Sequence, residues 1–295
     1  MTRGYPGWRA RPCAWQTGLA ETRHNGQFEA LVEFVATKSR LLVLTGAGCS
    51  TPSGIGDYRD RSGAWKRAAP IQHADFMRDA AVRQRYWARS FVGWPRFAAA
   101  APNAAHRAIA GLEPLGLITQ NVDRLHQKAG SQTVVDLHGR LDQVVCMDCG
   151  ALSSRADLQT RLAAANSWLA TRPFALAPDG DADVQLSDAE IARVDVPGCG
   201  GCGGVLKPHV VFYGDGVPKA RVAQGYDWVD QCDGLLVIGS SLMVFSSLRF
   251  CRRADARGVP MALANQGVTR ADELFSVRVD APCQRLLPEV LERLG

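Results

Sequence analysis

Thr119-Gln-Asn-Val-Asp123 and the later Leu137-His138-Gly139 place an amide, a carboxylate and an imidazole just after apolar runs. Leu115–Ile118 and Val134–Leu137 predict two buried strands, so Gln120, Asn121 and Asp123 leave the end of one and His138 the end of the other. Strand ends of this kind line the ligand crevice of an open α/β sheet. An imidazole with its ordinary pKa of about 6.5 accepts a proton near neutrality, which makes His138 a candidate general base. A strand-end histidine satisfied by backbone is the plainer reading. The amide and carboxylate on the neighbouring strand and the following glycine favour function.

Cysteine supplies a second chemistry. Cys146, Cys149, Cys199 and Cys202 stand in two C-x-x-C pairs, and the other five of the nine cysteines are scattered. Two such knuckles let four thiolates converge on one Zn²⁺ in a closed tetrahedral site with no position left for water. Redox disulfides are the alternative, and a reducing compartment fits the count better. The insert between Cys149 and Cys199 carries seven acids against four arginines, which argues against a nucleic-acid finger.

A third signal is the run after the expected strand Leu41–Leu44, in which Thr45 is followed by Gly46-Ala47-Gly48-Cys49-Ser50. A strand opening into a glycine-rich turn brings backbone N–H groups against phosphates. Gly46 and Gly48 fit the start of a dinucleotide fingerprint, but Thr51 stands where the third glycine belongs and no acid follows at the ribose distance, which disfavours an ordinary dehydrogenase. A plain tight turn is the alternative.

These residues need a scaffold, and the chain can build one. At 295 residues and 46% hydrophobic it suffices for a large domain plus a smaller one. No apolar run reaches the roughly 18 residues of a membrane span, since Gly239, Ser240 and Ser241 break the strongest window, so no membrane partner is expected. The net charge of +5, carried mostly by arginine with only five lysines, leaves no nucleic-acid footprint. Gln27–Thr37 predicts a helix before the first strand, Asp75–Ala99 a helical, arginine- and aromatic-rich stretch, and Asn103–Leu112 another helix with His106 on its surface or in a structural contact. Strands at Val205–Tyr213, Leu235–Ile238 and Met261–Leu263 alternate with helices at Lys219–Val229 and Phe245–Arg257. This βαβ rhythm gives an α/β fold, a parallel sheet with helices on both faces. Gly239-Ser240-Ser241 and Asn265-Gln266-Gly267 end two of its strands. Residues 1–25, rich in Gly, Arg, Pro and Trp, read as a disordered arm; acid-poor, Arg-rich starts also mark transit peptides, but Pro6 and Pro12 interrupt any amphipathic helix.

The motifs together resemble the sirtuin family of NAD-dependent protein deacylases. The resemblance rests on Gly46 to Ser50, Ser53-Gly54-Ile55-Gly56-Asp57-Tyr58-Arg59, Thr119 to Asp123 with His126 and Gly130, His138-Gly139, the two cysteine knuckles, Leu206 to Gly214 and Gly239 to Val244. Asp57 to Arg59, Ile71 to Phe76, Arg83 to Arg89, Phe91 to Trp94 and Ala177 to Gly180 resemble its class II branch. The resemblance implies a Rossmann-like NAD-binding domain from 26–55, 102–145 and 205–295, a helical module with the cofactor loop at 56–101, and a zinc-binding module at 146–204. It implies NAD contacts at Gly46, Ala47, Gly48, Ser50, Ile55, Asp57, Tyr58, Arg59, Trp65, Gln120, Asn121, Val122, Asp123, Gly239, Ser240, Ser241, Asn265, Gln266, Gly267 and Cys283. Acyl-lysine protein or peptide contacts fall on Val211, Phe212, Gly214 and Val244.

The implied catalytic residues are His138, Asn121 and Asp123. The acyl oxygen attacks the anomeric carbon of NAD as nicotinamide leaves, and His138 takes a proton from a ribose hydroxyl; lysine and O-acyl-ADP-ribose result. Asp123 would hold the nicotinamide amide, Asn121 the ribose or a water, and Arg59 the pyrophosphate or a loop contact. Protein mono-ADP-ribosylation and a catalytically silent NAD or ADP-ribose module are the competing readings. The implied location is cytoplasmic, or the mitochondrial matrix in a eukaryote. Two positions depart from the family: Gly56 replaces a proline, raising the cost of ordering the cofactor loop, and Asp215 replaces a glutamate. Tyr86 and Arg89 form the Y-x-x-R pair that grips acyl carboxylates in the desuccinylating branch; surface placement on the helix is the alternative. The insert around Ala177-Pro-Asp-Gly180 could reach and reshape the acyl site, and longer acyl groups are expected to be preferred over acetyl.

Overall fold

The computed structural model describes residues 26–66, 70–169, 175–176 and 182–295, so the N-terminal arm, Cys13 and Ala177–Gly180 lie outside the described residues. A first helix, α1 (26–36), leads into β1 (Leu41–Thr45), followed by α2 (His73–Arg78), α3 (Ala80–Ala98), α4 (Ala104–Gly111) and β2 (Gly116–Thr119). Then come α5 (Leu125–Lys128), β3 (Val134–Asp136), β4 (Gly139–Cys146), β5 (Leu152–Ser154), α6 (Arg155–Ala165), β6 (Ala175–Leu176), β7 (Ala182–Asp183), α7 (Asp188–Ala192) and β8 (Leu206–Val210). The chain ends with α8 (Lys219–Gln231), β9 (Gly234–Ile238), α9 (Phe245–Ala256), β10 (Met261–Ala264), β11 (Val277–Val279) and α10 (Cys283–Leu294).

Six of the strands form one parallel sheet in the order β11-β10-β9-β1-β2-β3. All five residues of β1 are buried, as expected of a parallel strand covered on both faces. Alternation divides its side chains: Leu41 and Val43 join the core under α1, α4 and α10, and Leu42 and Leu44 join the core under α8 and α9. β3 is an edge strand of three half-buried residues, shorter and less buried than the apolar run Val134–Leu137 suggests. From β1 the chain builds outward through β2 to β3, and from β9 outward the other way to β11. The order therefore reverses between β1 and β9, and a crevice opens beyond their carboxyl ends.

The remaining long strands behave differently from the sequence expectation. β8 is shorter than Val205–Tyr213 and lies outside the parallel sheet: it pairs antiparallel with β4, and β5 completes a separate three-stranded sheet. Residues 206–210 thus stand outside the parallel βαβ series in which the sequence placed Val205–Tyr213. The turn at Gly139 and the cysteine knuckles at the far end of the pair account for this. The helical stretch at 75–99 is likewise two helices, because Asp79 is extended and its carboxylate caps α3 by accepting the Ala81 N–H at 2.8 Å. Phe76, Trp87 and Phe91 from α2 and α3 pack with Val144, Leu158, Leu162 and Leu206, so the helical and cysteine-bearing segments share one core.

Gly139 has φ +87°, and a Cβ there would lie 2.1 Å from the His209 carbonyl oxygen. Both the left-handed conformation and the close backbone demand glycine. Gly139→Ala is expected to destabilise the fold by more than about 1 kcal/mol, read as a lower midpoint in thermal or urea unfolding. An unchanged midpoint would contradict this placement.

Candidate active site

The loops after β1 and β9 interlock at the point where strand order reverses. Gly46 N–H donates to the Ile238 carbonyl at 3.0 Å and Gly48 N–H to that of Gly239 at 2.9 Å. A Cβ on Gly46 would sit 2.8 Å from the Gly239 oxygen, so only glycine lets the two loops approach this closely. In front of them lies a cleft of about 760 Å³. Its lining includes Gly46, Ala47, Gly48, Ser50, Ile55, Asp57, Tyr58, Arg59, Gln120, Asn121, Val122, Asp123, His138, Gly239, Ser240, Ser241, Asn265, Gln266 and Cys283. Val211, Phe212, Gly214, Val244 and Tyr86 line it too.

His138 is half-buried on the cleft wall where the chain passes from β3 to β4. Its Nδ1 lies 3.1 Å from the Gln120 carbonyl oxygen, which can only accept, so the proton sits on Nδ1. Nε2 then carries the lone pair and accepts from the Ser246 hydroxyl at 2.8 Å. Burial pushes the His138 pKa down to about 4; the Gln120 hydrogen bond opposes this and the Arg221 charge adds to it. The imidazole is neutral at pH 7, the state a base requires.

Asp123 and Asn121 are only 7% and 8% exposed and meet at Ser50. The Ser50 hydroxyl donates to Asp123 Oδ2 at 2.6 Å and accepts from Asn121 Nδ2 at 2.9 Å, while Asp123 Oδ1 accepts the Leu125 N–H. Burial raises the Asp123 pKa, opposed first by the Ser50 hydrogen bond. Asn121 Nδ2 also donates to the Gly46 carbonyl, tying the carboxylate corner to the glycine loop. Gln120 reaches across to the Ser240 hydroxyl at 2.7 Å. His106 is fully buried rather than on a helix surface: its Nδ1 accepts the Asn103 N–H at the start of α4, and its ring packs 4.7 Å from that of His126.

Three expected contact residues are not among the cleft lining. Trp65 packs under the Arg59 guanidinium at 3.8 Å and edge-on to Tyr58 and Tyr213, bracing the loop instead. Arg59 itself donates to the Gly63 carbonyl at 2.8 Å, the loop contact of its two expected roles. Gly267, at φ +87°, lies against the backbone of Arg61. Arg89 Nε donates to the Ala182 carbonyl at 3.1 Å and is not among the cleft lining, whereas Tyr86 is. Of the departures, Asp215 pairs with His73 at 3.1 Å and Lys207 at 3.4 Å.

Cys146, Cys149, Cys199 and Cys202 bring four sulfurs within 4.8 Å of one another. Cys146–Cys202 and Cys149–Cys199 stand at 3.5 and 3.8 Å, close to the roughly 3.8 Å edge of a tetrahedron with Zn–S bonds of about 2.3 Å. The donor set is soft and complete, and fits a structural zinc. Sequence reading missed Ser246, Phe245 and Arg249, all lining the cleft from the start of α9. Ser246 lies two residues beyond the Gly239–Val244 motif, and only its position one step inside the helix shows that it meets His138.

The Sir2 family model matches residues 46–246. An NAD-dependent protein deacetylase of Xanthomonas axonopodis pv. citri is 53% identical over 261 residues, covering 87% of this chain and 88% of its own. The NAD-dependent protein lipoamidase sirtuin-4, mitochondrial, of Bos taurus is 48% identical over 265 residues, covering 88% and 84%. A solved structure reported as Structural Basis for the Mechanism and Regulation of Sir2 Enzymes superposes with a TM-score of 0.73 at 27% identity, covering 92% of this chain and 98% of that one. Another, Sir2-p53 peptide-NAD+, does so with a TM-score of 0.72 at 25% identity, covering 90% and 98%.

Proposed function

This chain belongs to the Sir2 family, and from that premise we propose how its cleft works as an NAD-dependent protein lysine deacylase. The observation that carries the proposal is the neutral His138, its Nε2 lone pair held in the same cleft as the Ser50–Asp123–Asn121 corner and the glycine cradle. NAD supplies an activated ribose that accepts the acyl group once nicotinamide has left. The backbone of Gly46 to Gly48 and the Gly239 to Ser241 turn hold its phosphates and ribose, with Asn265, Gln266 and Cys283 toward the adenine. Asp123 binds the carboxamide of the leaving nicotinamide, and Asn121 orients the ribose or a water. The acyl-lysine lies between Val211–Gly214 and Val244, and His138 Nε2 takes the ribose proton. Zn²⁺ on the four cysteines holds the small module and takes no part in the chemistry.

The acyl pocket is walled by Phe212 and Tyr86, aromatic and packed edge-on at 5.4 Å. This apolar wall, with the class II motifs, supports preference for longer acyl chains. Among the described residues no helix is long and apolar enough to cross a membrane. The four-cysteine zinc set, which must stay reduced to bind metal, supports action in the reducing cytoplasm, or in the mitochondrial matrix of a eukaryote.

Nicotinamide release from NAD, followed with a panel of acyl-lysine peptides, tests the whole reading. Release should require the acyl-peptide and be faster with medium and lipoyl-type chains than with acetyl. Release that needs only an unacylated protein would mean ADP-ribosyl transfer, and tight NAD binding with no release a silent module. Acetyl preferred by a wide margin would remove the acyl assignment alone.

A further inference from the structure

Close to Val244, a second hollow of about 360 Å³ lies on the α8–α9 face, lined by Tyr226, Phe245, Arg249, Arg252, Arg253 and Arg257 with no acidic side chain. Phe245 and Arg249 line both spaces and so stand between the cleft and the hollow. Phe245 is 52% exposed, an unusual position for a phenylalanine directly after a groove residue. Its ring is flanked by two guanidiniums, Arg249 at 5.1 Å and Arg252 at 5.7 Å.

Charge in this hollow is unevenly compensated. Arg253 and Arg257 share the single carboxylate of Asp230, the first through a hydrogen bond at 2.8 Å and the second at 3.3 Å. Arg249 and Arg252 have no ion pair among the described residues, and Arg249 Nε is buried without a hydrogen-bond partner. Two guanidiniums without a carboxylate partner leave the hollow an excess of positive charge, which a ligand carboxylate offsets through charge-assisted hydrogen bonds. The exposed ring beneath offers an apolar floor to the methylenes of a carboxylate side chain.

We propose that this hollow is a specificity subsite that takes an aspartate or glutamate flanking the acyl-lysine of the substrate, with Arg249 and Arg252 as the residues that read it. The inference rests on the deacylase reading, because only a peptide seated between Val211–Gly214 and Val244 would carry its flanking residues over Phe245. Rim charges of this kind act mainly on encounter and affinity, so the effect belongs in KM and weakens with salt.

Initial rates are measured on matched acyl-peptides whose flanking positions are glutamate, alanine or lysine. The glutamate peptide should exceed the alanine peptide roughly five- to tenfold in kcat/KM, through KM, with the advantage shrinking at 0.5 M salt. In the Arg249→Gln/Arg252→Gln double variant this advantage should vanish, and in Arg252→Gln alone, whose side chain lines the hollow and not the cleft, it should fall while the alanine peptide keeps its native rate. Arg252→Glu should turn the order toward the lysine peptide. Equal rates for the three peptides on the native enzyme, or a preference that survives the double variant, would overturn the subsite while leaving deacylation intact. No turnover of the alanine peptide would instead strike the deacylase reading, and this inference with it.

Discussion

His138→Ala or His138→Tyr is expected to lower deacylation by roughly two to four orders of magnitude, with NAD affinity and the unfolding midpoint close to native. The side chain makes two hydrogen bonds, to the Gln120 carbonyl and the Ser246 hydroxyl, and neither holds a strand in place. Its loss therefore falls on proton transfer rather than on the fold. With its pKa held at about 4 by burial, the imidazole stays unprotonated through pH 5–8, and this group should impose no rise in rate across that range in the free enzyme. The loss comes only as pH falls through about 4. Stability carries the same sign: the unfolded histidine protonates near 6.5 and the folded one near 4, so stability should decline as pH drops through that window. His106, also held near 4 by burial, steepens the decline. A variant keeping more than a few per cent of native turnover would remove the base assignment.

Replacing any one of Cys146, Cys149, Cys199 or Cys202 with alanine should leave a protein that aggregates or unfolds, and metal analysis of the native protein should give one zinc per chain. Structural zinc in small knuckle modules contributes apparent binding free energies of about 10–16 kcal/mol at neutral pH, much of it spent as folding free energy. Here the loss cannot stay local. Cys146 is buried in the core that also holds Tyr86 and Phe212, and those two rings line the cleft. Removal of zinc by a strong chelator should accordingly abolish acyl-peptide turnover together with the folded signal. Folded, active protein without zinc would overturn the assignment.

Most of the cleft was legible in the sequence because its parts are local. Strand ends, glycine turns and C-x-x-C pairs need only a few consecutive residues to declare their geometry, and Gly46, Asn121, Asp123 and His138 all line one cavity. What escaped depends on partners distant in sequence. Val205–Tyr213 has the composition of a core strand, yet it pairs with β4 rather than with the parallel sheet, and β4 ends at Cys146, whose cluster partners Cys199 and Cys202 just precede β8. Arg89 sits at the right spacing from Tyr86, but spacing on α3 does not reveal that the Ala182 carbonyl waits across the small module. Between a helix surface and a structural contact for His106 the spacing could not choose, because a helix position says nothing about the second histidine packed against it.

β4 and β8 leave and rejoin the parallel-sheet body as immediate antiparallel neighbours, with Gly139 facing Val210 at one end and Cys146 facing Leu206 at the other. The two chain crossings thus form a neck whose width is set by one pair of strands, whatever lies beyond. Residues added or lost between the knuckles displace neither His138, just before the neck, nor Val211, just after it. The excursion from Cys149 to Cys199 meets the cleft only through the core it shares with Tyr86 and Phe212, so a change of length that spares Leu158, Leu162, Ala182 and Val184 is one this scaffold can absorb.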